Sequence, residues 1–170
     1  MDQVIRIVKD LAESATNVVK WFEDQDPSAT ILRGVRRSLQ FDGYSCGVHS
    51  ANVILGYFGR CLSIDQIEHK LRTDDEGTSI TPIRQLLNSR GLRTTIRANA
   101  TIRDIKRAID FGHPVLVSLC NGEHWAVVYG YSKRAIYVAD SSITKNLWCR
   151  VSMARFLRQW DMWMMAVKLN

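Results

Sequence analysis

Between residues 113 and 152 the chain changes its rhythm. The stretches PVLVSLC (114–120), HWAVVYGYS (124–132), AIYVAD (135–140) and NLWCRVS (146–152) are short, rich in branched and aromatic residues, and separated by Gly, Asn, Lys and Ser. That pattern predicts a meander of antiparallel strands. Upstream, apolar residues recur at helical steps instead, and downstream MARFLRQW (153–160) gives a helical turn or two before MWMMAVKL (162–169) closes as a strand. Helices followed by strands predict an α+β fold, with N-terminal helices packed on one side of a C-terminal antiparallel sheet. A length of 170 residues suits one domain with a short appendage.

The appendage is expected at the start. Val4, Ile7, Val8, Leu11, Ala15, Val18, Val19 and Phe22 describe one amphipathic helix over residues 3–22, whose apolar face packs on the domain, on a partner or on a second copy. DQDPSAT (24–30) reads as a connector, because Pro27 disfavours helix at Asp26. Residues 1–37 are therefore assigned to a helical extension and connector, and residues 38–170 to the main domain. Within that domain GVHSANVILGYF, after Cys46, has the apolar density of a buried helix ending at Gly59. Ser63 with Gln66 forms a capping box for a helix over 64–72. Thr81 and Pro82 open a helix that Gly91 ends, and Thr101 opens another that stops near Gly112.

A hydrophobic share of 46% with 24% charged residues is ordinary for a soluble protein, and no apolar run approaches the roughly 18 residues of a membrane span. The N-terminal MDQVIRIVKDLAES mixes charges into its apolar positions, unlike a secretory signal, so a cytoplasmic location is expected. Four cysteines, at 46, 61, 120 and 149, are too sparse for a disulfide framework and read as free thiols. The net charge of +6 is spread along the chain, with small groups such as RGVRR, which fits a basic surface and no specific nucleic-acid partner.

The chemistry concentrates at QFDGYSCGVHS (40–50). A zinc site would have to gather Cys46, His49, Cys61 and His69, whose spacing lacks the two tight ligand pairs of a structural site, so no metal and no cofactor are expected. A packing cysteine is the bland alternative. Position argues for a nucleophile: Gly43 and Gly47 bracket Cys46, and the helix begins there, so the thiol lies at the positive end of a helix dipole. It needs a base. His113 precedes a proline and His69 lies on a polar helix face; His49 is a helical neighbour of Cys46 with no evident acid to orient it. His124 begins a strand and Asp140 ends the next, so a hairpin brings them to one end of the sheet as base and orienter. Gln40, six residues before Cys46, could donate to an oxyanion together with the Cys46 backbone N–H, although a lone glutamine is more often a surface residue.

Gln40, Cys46-Gly47, EGTSITPIRQLLNSRGLRTTI and GHPVLVSLCNGEHWAVVYGYSKRAIYVAD, taken in order, resemble the papain-like cysteine peptidase domain that trims double-glycine leaders in bacteriocin ABC exporters. The likeness runs over about residues 38–169 and includes FLRQW and the closing strand. It implies a papain-like fold, with Cys46 as nucleophile, His124 as general base, Asp140 as orienter, and an oxyanion hole of Gln40 and the Cys46 N–H. Three features depart from the family. Ser45 stands where Asp commonly precedes the cysteine, ADSS replaces Asp-Pro after the acid, and there is neither a membrane-spanning segment nor a G-x-x-x-x-G-K loop.

The expected activity is peptide-bond cleavage through an acyl-enzyme, after a Gly-Gly-type leader if the substrate follows the family. The expected partners are a peptide or protein substrate and a membrane exporter or secretion component, the chain itself not spanning the membrane. The same triad also serves acyl transfer (transglutaminase-like) and deamidation, and a non-catalytic leader-binding domain is a further reading.

Overall fold

The computed structural model describes residues 26–142 and 149–170. The helix expected over residues 3–22 lies outside the described residues. In chain order the elements are β1 (Thr30–Ile31), α1 (Cys46–Tyr57), α2 (Ile64–Leu71), α3 (Ile80–Ser89), β2 (Leu92–Arg97), α4 (Ile102–Asp110), β3 (Val115–Leu119), β4 (His124–Tyr131), β5 (Ala135–Ala139), β6 (Cys149–Ser152), α5 (Met153–Gln159) and β7 (Trp160–Leu169). The fold is α+β, as expected.

Local chemistry sets the helix ends. The Ser63 hydroxyl accepts from the Gln66 N–H while the Gln66 side chain accepts from the Ser63 N–H, a reciprocal capping box at the start of α2. Thr101 and Asp104 do the same for α4. Helix α3 starts one residue earlier than Thr81, after Ser79, which leaves Pro82 inside the first turn, where its missing N–H has no helical partner to lose.

The strands form one antiparallel sheet in the order β2-β7-β3-β4-β5-β6, with β1 paired to β4. Two features differ from the sequence expectation. Strand β2 is a helix-to-helix connection by its position, yet it pairs with β7 from Leu92↔Leu169 to Arg97↔Met164. As an edge strand it is largely exposed and carries Arg and Thr, so it has little apolar signal. Second, helices cover both faces of the sheet rather than one. Alternate residues of a strand point to opposite faces. Val115, Val117 and Leu119 of β3 join a core with Ile105 and Ile109 of α4 and Phe156 of α5. Leu116 of β3 joins the other core, built from α1, α2 and α3 around Ile54, Leu55, Ile67 and Leu87.

Helix α1 lies within that second core, with Val48, Ala51, Ile54 and Leu55 fully buried, and it packs against β4. This contact brings the first residue of α1 beside the first residues of β4. The connector is attached as well: β1 pairs Thr30↔Tyr131 and Ile31↔Gly130, and Leu32 enters the first core. The division drawn between residues 37 and 38 thus follows a stretch that already belongs to the sheet. No helix among the described residues is long and apolar enough to cross a membrane.

Candidate active site

Cys46 is the first residue of α1 and is buried, at 6% exposure. The turn that presents it is built by Asp42, whose carboxylate accepts from the Tyr44 N–H at 2.9 Å, the Ser45 N–H at 2.7 Å and the Ser45 hydroxyl at 2.7 Å. Burial would raise the Asp42 pKa, but the Ser45 and Tyr44 donors outweigh it and hold the carboxyl below its ordinary range. Ser45, the departure next to the cysteine, is thereby a strut of the turn. Gly47 is needed for packing: a Cβ there would sit 2.7 Å from the Thr78 Cβ.

On the facing strand, the Trp125 N–H points at the Cys46 Sγ from 3.5 Å, and the Trp125 indole donates to the Thr78 carbonyl at 2.8 Å. His124 precedes it, buried to 5% exposure, and its Nε2 bonds Oδ1 of the fully buried Asp140 at 2.8 Å. The same carboxylate oxygen accepts from the Ser142 N–H at 2.9 Å. With Nε2 taken, Nδ1 is the ring nitrogen left for the Cys46 thiol. Burial pushes the imidazole pKa down, but its hydrogen bonds to Asp140 and Cys46, with the charges of those groups, more than reverse this and raise it to about 9.

The structure therefore brings Cys46, His124 and Asp140 together. It takes His49 elsewhere: the His49 Nδ1 pairs with the Ser38 hydroxyl at 2.7 Å, which in turn accepts from Asn52 at 3.0 Å, and burial holds this imidazole below its ordinary pKa against the pull of Asp42 and Glu68. Gln40 is buried rather than on the surface. Its N–H donates to the Ser141 carbonyl at 3.0 Å, its Nε2 donates to the Asp42 carbonyl at 3.0 Å, and its Oε1 accepts from the Ser141 hydroxyl. Gln40 is thus tied both to the turn before Cys46 and to the residue after Asp140.

Sequence reasoning missed several supports. The Arg37 guanidinium donates through Nε to the Asp140 carbonyl at 2.6 Å and through Nη2 to the Ser142 carbonyl at 2.7 Å. Asp161 fixes the turn before His124, accepting from the Asn121 N–H at 2.8 Å, the Gly122 N–H at 2.9 Å and the Ser118 hydroxyl at 2.6 Å. Neither had a local signal, whereas Asp42, also missed, had one: an acid three residues before Ser45 at a predicted helix start. Open clefts flank Trp125, one of about 510 Å³ along Thr78, Pro82 and Gly122, the other of about 430 Å³ along Ser118, Asp161 and Trp163. No group of three or more His, Cys, Asp and Glu side chains among the described residues could hold a metal ion.

The sequence pattern of the Peptidase C39 family matches residues 35–170. The chain belongs to this family. As a C39 peptidase it is a hydrolase of peptide bonds, and solved structures share its fold. A double glycine motif protease from an AMS/PCAT transporter, in complex with the leader peptide, aligns with a TM-score of 0.66 at 16% identity, over 84% of this chain and 99% of the other. The peptidase domain of Streptococcus ComA, a bi-functional ABC transporter involved in a quorum sensing pathway, aligns with a TM-score of 0.68 at 20% identity, over 80% of this chain and 99% of the other. The N-terminal peptidase C39 like domain of the toxin secretion ATP-binding protein from Vibrio parahaemolyticus aligns with a TM-score of 0.60 at 16% identity, over 74% of this chain and 98% of the other. No curated protein matches the C39 chain in sequence.

Proposed function

We propose that this C39 peptidase cleaves its substrate with Cys46 as nucleophile, His124 as acid and base, Asp140 as orienter, and Gln40 with the Cys46 N–H as oxyanion donors. The observation that carries the reading is the buried 2.8 Å His124–Asp140 bond beside a cysteine at the start of a helix. A pKa near 9 keeps His124 protonated at neutral pH, a positive charge against the sulfur. The Cys46 thiolate adds to the scissile carbonyl carbon and the carbonyl electrons move onto oxygen. The Cys46 backbone N–H, with no intrahelical partner at the helix start, and a side-chain Nε2–H of Gln40 receive that oxyanion. As it collapses, the C–N bond breaks and His124 delivers its proton to the leaving amine. His124, now neutral, takes a proton from water, whose oxygen displaces the thiolate from the thioester and frees the acid.

The substrate proposed is a peptide whose scissile bond follows two glycines, with the cleft beside Trp125 receiving the segment before that bond. This part rests on the solved neighbours, which include a double glycine motif protease with its leader and domains of ABC transporters. Cytoplasmic action on the leader of an exported, bacteriocin-type peptide extends the same proposal. The test is incubation of wild type and C46A with a leader-like peptide carrying Gly-Gly, followed by mass spectrometry with and without an added amine. A single cut after the second glycine by wild type alone, giving a free acid, is expected. An amide adduct with the amine would indicate acyl transfer instead, and equal loss of substrate with C46A would remove Cys46 from the chemistry.

A further inference from the structure

The oxyanion donor has an orientation problem that the fold solves through a residue with no role in the reaction itself. A carboxamide has two ends of similar shape, and only its NH2 end can donate to an oxyanion. Gln40 is 5% exposed, so water cannot settle which end faces the substrate. Its Nε2 has two hydrogens, one of which goes to the Asp42 carbonyl at 3.0 Å, leaving the other for the substrate. Its Oε1 receives the hydroxyl of Ser141, itself 3% exposed, at 2.5 Å. Turned over, the carboxamide would set oxygen against the Asp42 carbonyl oxygen, two acceptors with no hydrogen between them.

Ser141 is in turn held in place. Its carbonyl accepts from the Gln40 N–H at 3.0 Å, and Arg37 grips the carbonyls on either side of it, Asp140 at 2.6 Å and Ser142 at 2.7 Å. We infer that Ser141 is a positioning residue for catalysis: the Asp42 carbonyl, which can only accept, sets which end of the Gln40 carboxamide is NH2, and the Ser141 hydroxyl holds the Oε1 end so that the NH2 end stays toward the oxyanion. Because Ser141 directly follows Asp140, one short segment orients the imidazole through the acid and the oxyanion donor through the hydroxyl. The inference rests on the proposed role of Gln40.

A double-mutant cycle separates the two. Steady-state cleavage of a peptide with Gly-Gly before a fluorogenic amide is measured for wild type, S141A, Q40A and the double variant, alongside the rate of Cys46 alkylation by iodoacetamide, which forms no oxyanion. Q40A is expected to lower kcat about 100-fold, the scale of losing one oxyanion donor. S141A is expected to lower kcat about 10-fold with KM within about 2-fold, to leave the alkylation rate within about 2-fold, and to add nothing to Q40A, since the lock has lost its object. S141T, which restores a hydroxyl, is expected to recover part of the loss. Wild-type kcat in S141A, an equal further loss on top of Q40A, or a matching fall in alkylation would overturn the positioning role. Wild-type kcat in Q40A would overturn the oxyanion role beneath it, and no cleavage of this peptide by wild type would overturn the double-glycine substrate.

Discussion

At the scale of residues, the proposed mechanism makes the charge state of His124 set the working pH range. A folded pKa near 9, against 6.5 for an ordinary histidine, means that the group contributes stability in full below about pH 6.5 and loses it as pH rises through 9. The proton needed by the leaving amine is lost over the same interval. Peptidase activity is therefore expected to fall on an alkaline limb near pH 9, while the melting temperature declines across pH 6.5–9, and D140N is expected to move the kinetic limb to lower pH. A limb that stays in place in D140N would detach the imidazole from Asp140. Replacing His124 with alanine is expected to cost about 10²–10⁴-fold in kcat/KM, the range for losing a general acid and base.

Elements position these residues by close packing, and Gly47 leaves no room for a side chain. The G47A methyl would meet Thr78 at 2.7 Å, an overpacking expected to cost about 1–3 kcal/mol and to displace the wall that Trp125 holds through the Thr78 carbonyl. Chemical denaturation with a parallel activity assay checks this, and unchanged values for both would show that the loop yields freely. The helix starts were legible because their signals are local: Ser63–Gln66 and Thr101–Asp104 each span three residues. Strand β2 was not, since its partner β7 lies at the far end of the chain and its exposed face is polar. Burial of the sheet on both faces had a signal, the near-continuous apolar runs VLVSL, broken only by Ser118, and AIYVA in place of alternation. Cys46, His124 and Asp140 were readable as residue types at element ends; Arg37 and Ser141 were not, because they act through contacts across 103 and 101 residues of sequence.

For the molecule as a whole, the connector and the catalytic end of the sheet are one piece. Truncation after residue 37 removes β1, Leu32 and the Arg37 grip on residues 140–142, whereas truncation after residue 25 keeps all of them. The longer truncation is expected to melt several degrees lower and to lose activity relative to the shorter one; equal melting temperatures would make the connector dispensable. In the proposed mechanism the fold activates one buried thiol. The most direct measurement is labelling by limiting iodoacetamide at pH 7, mapped by mass spectrometry in wild type and H124A. Cys46 is buried while Cys61 is exposed, so accessibility alone favours Cys61. The expected result is that Cys46 labels first in wild type and loses that lead in H124A; Cys61 labelling first in both would contradict the account.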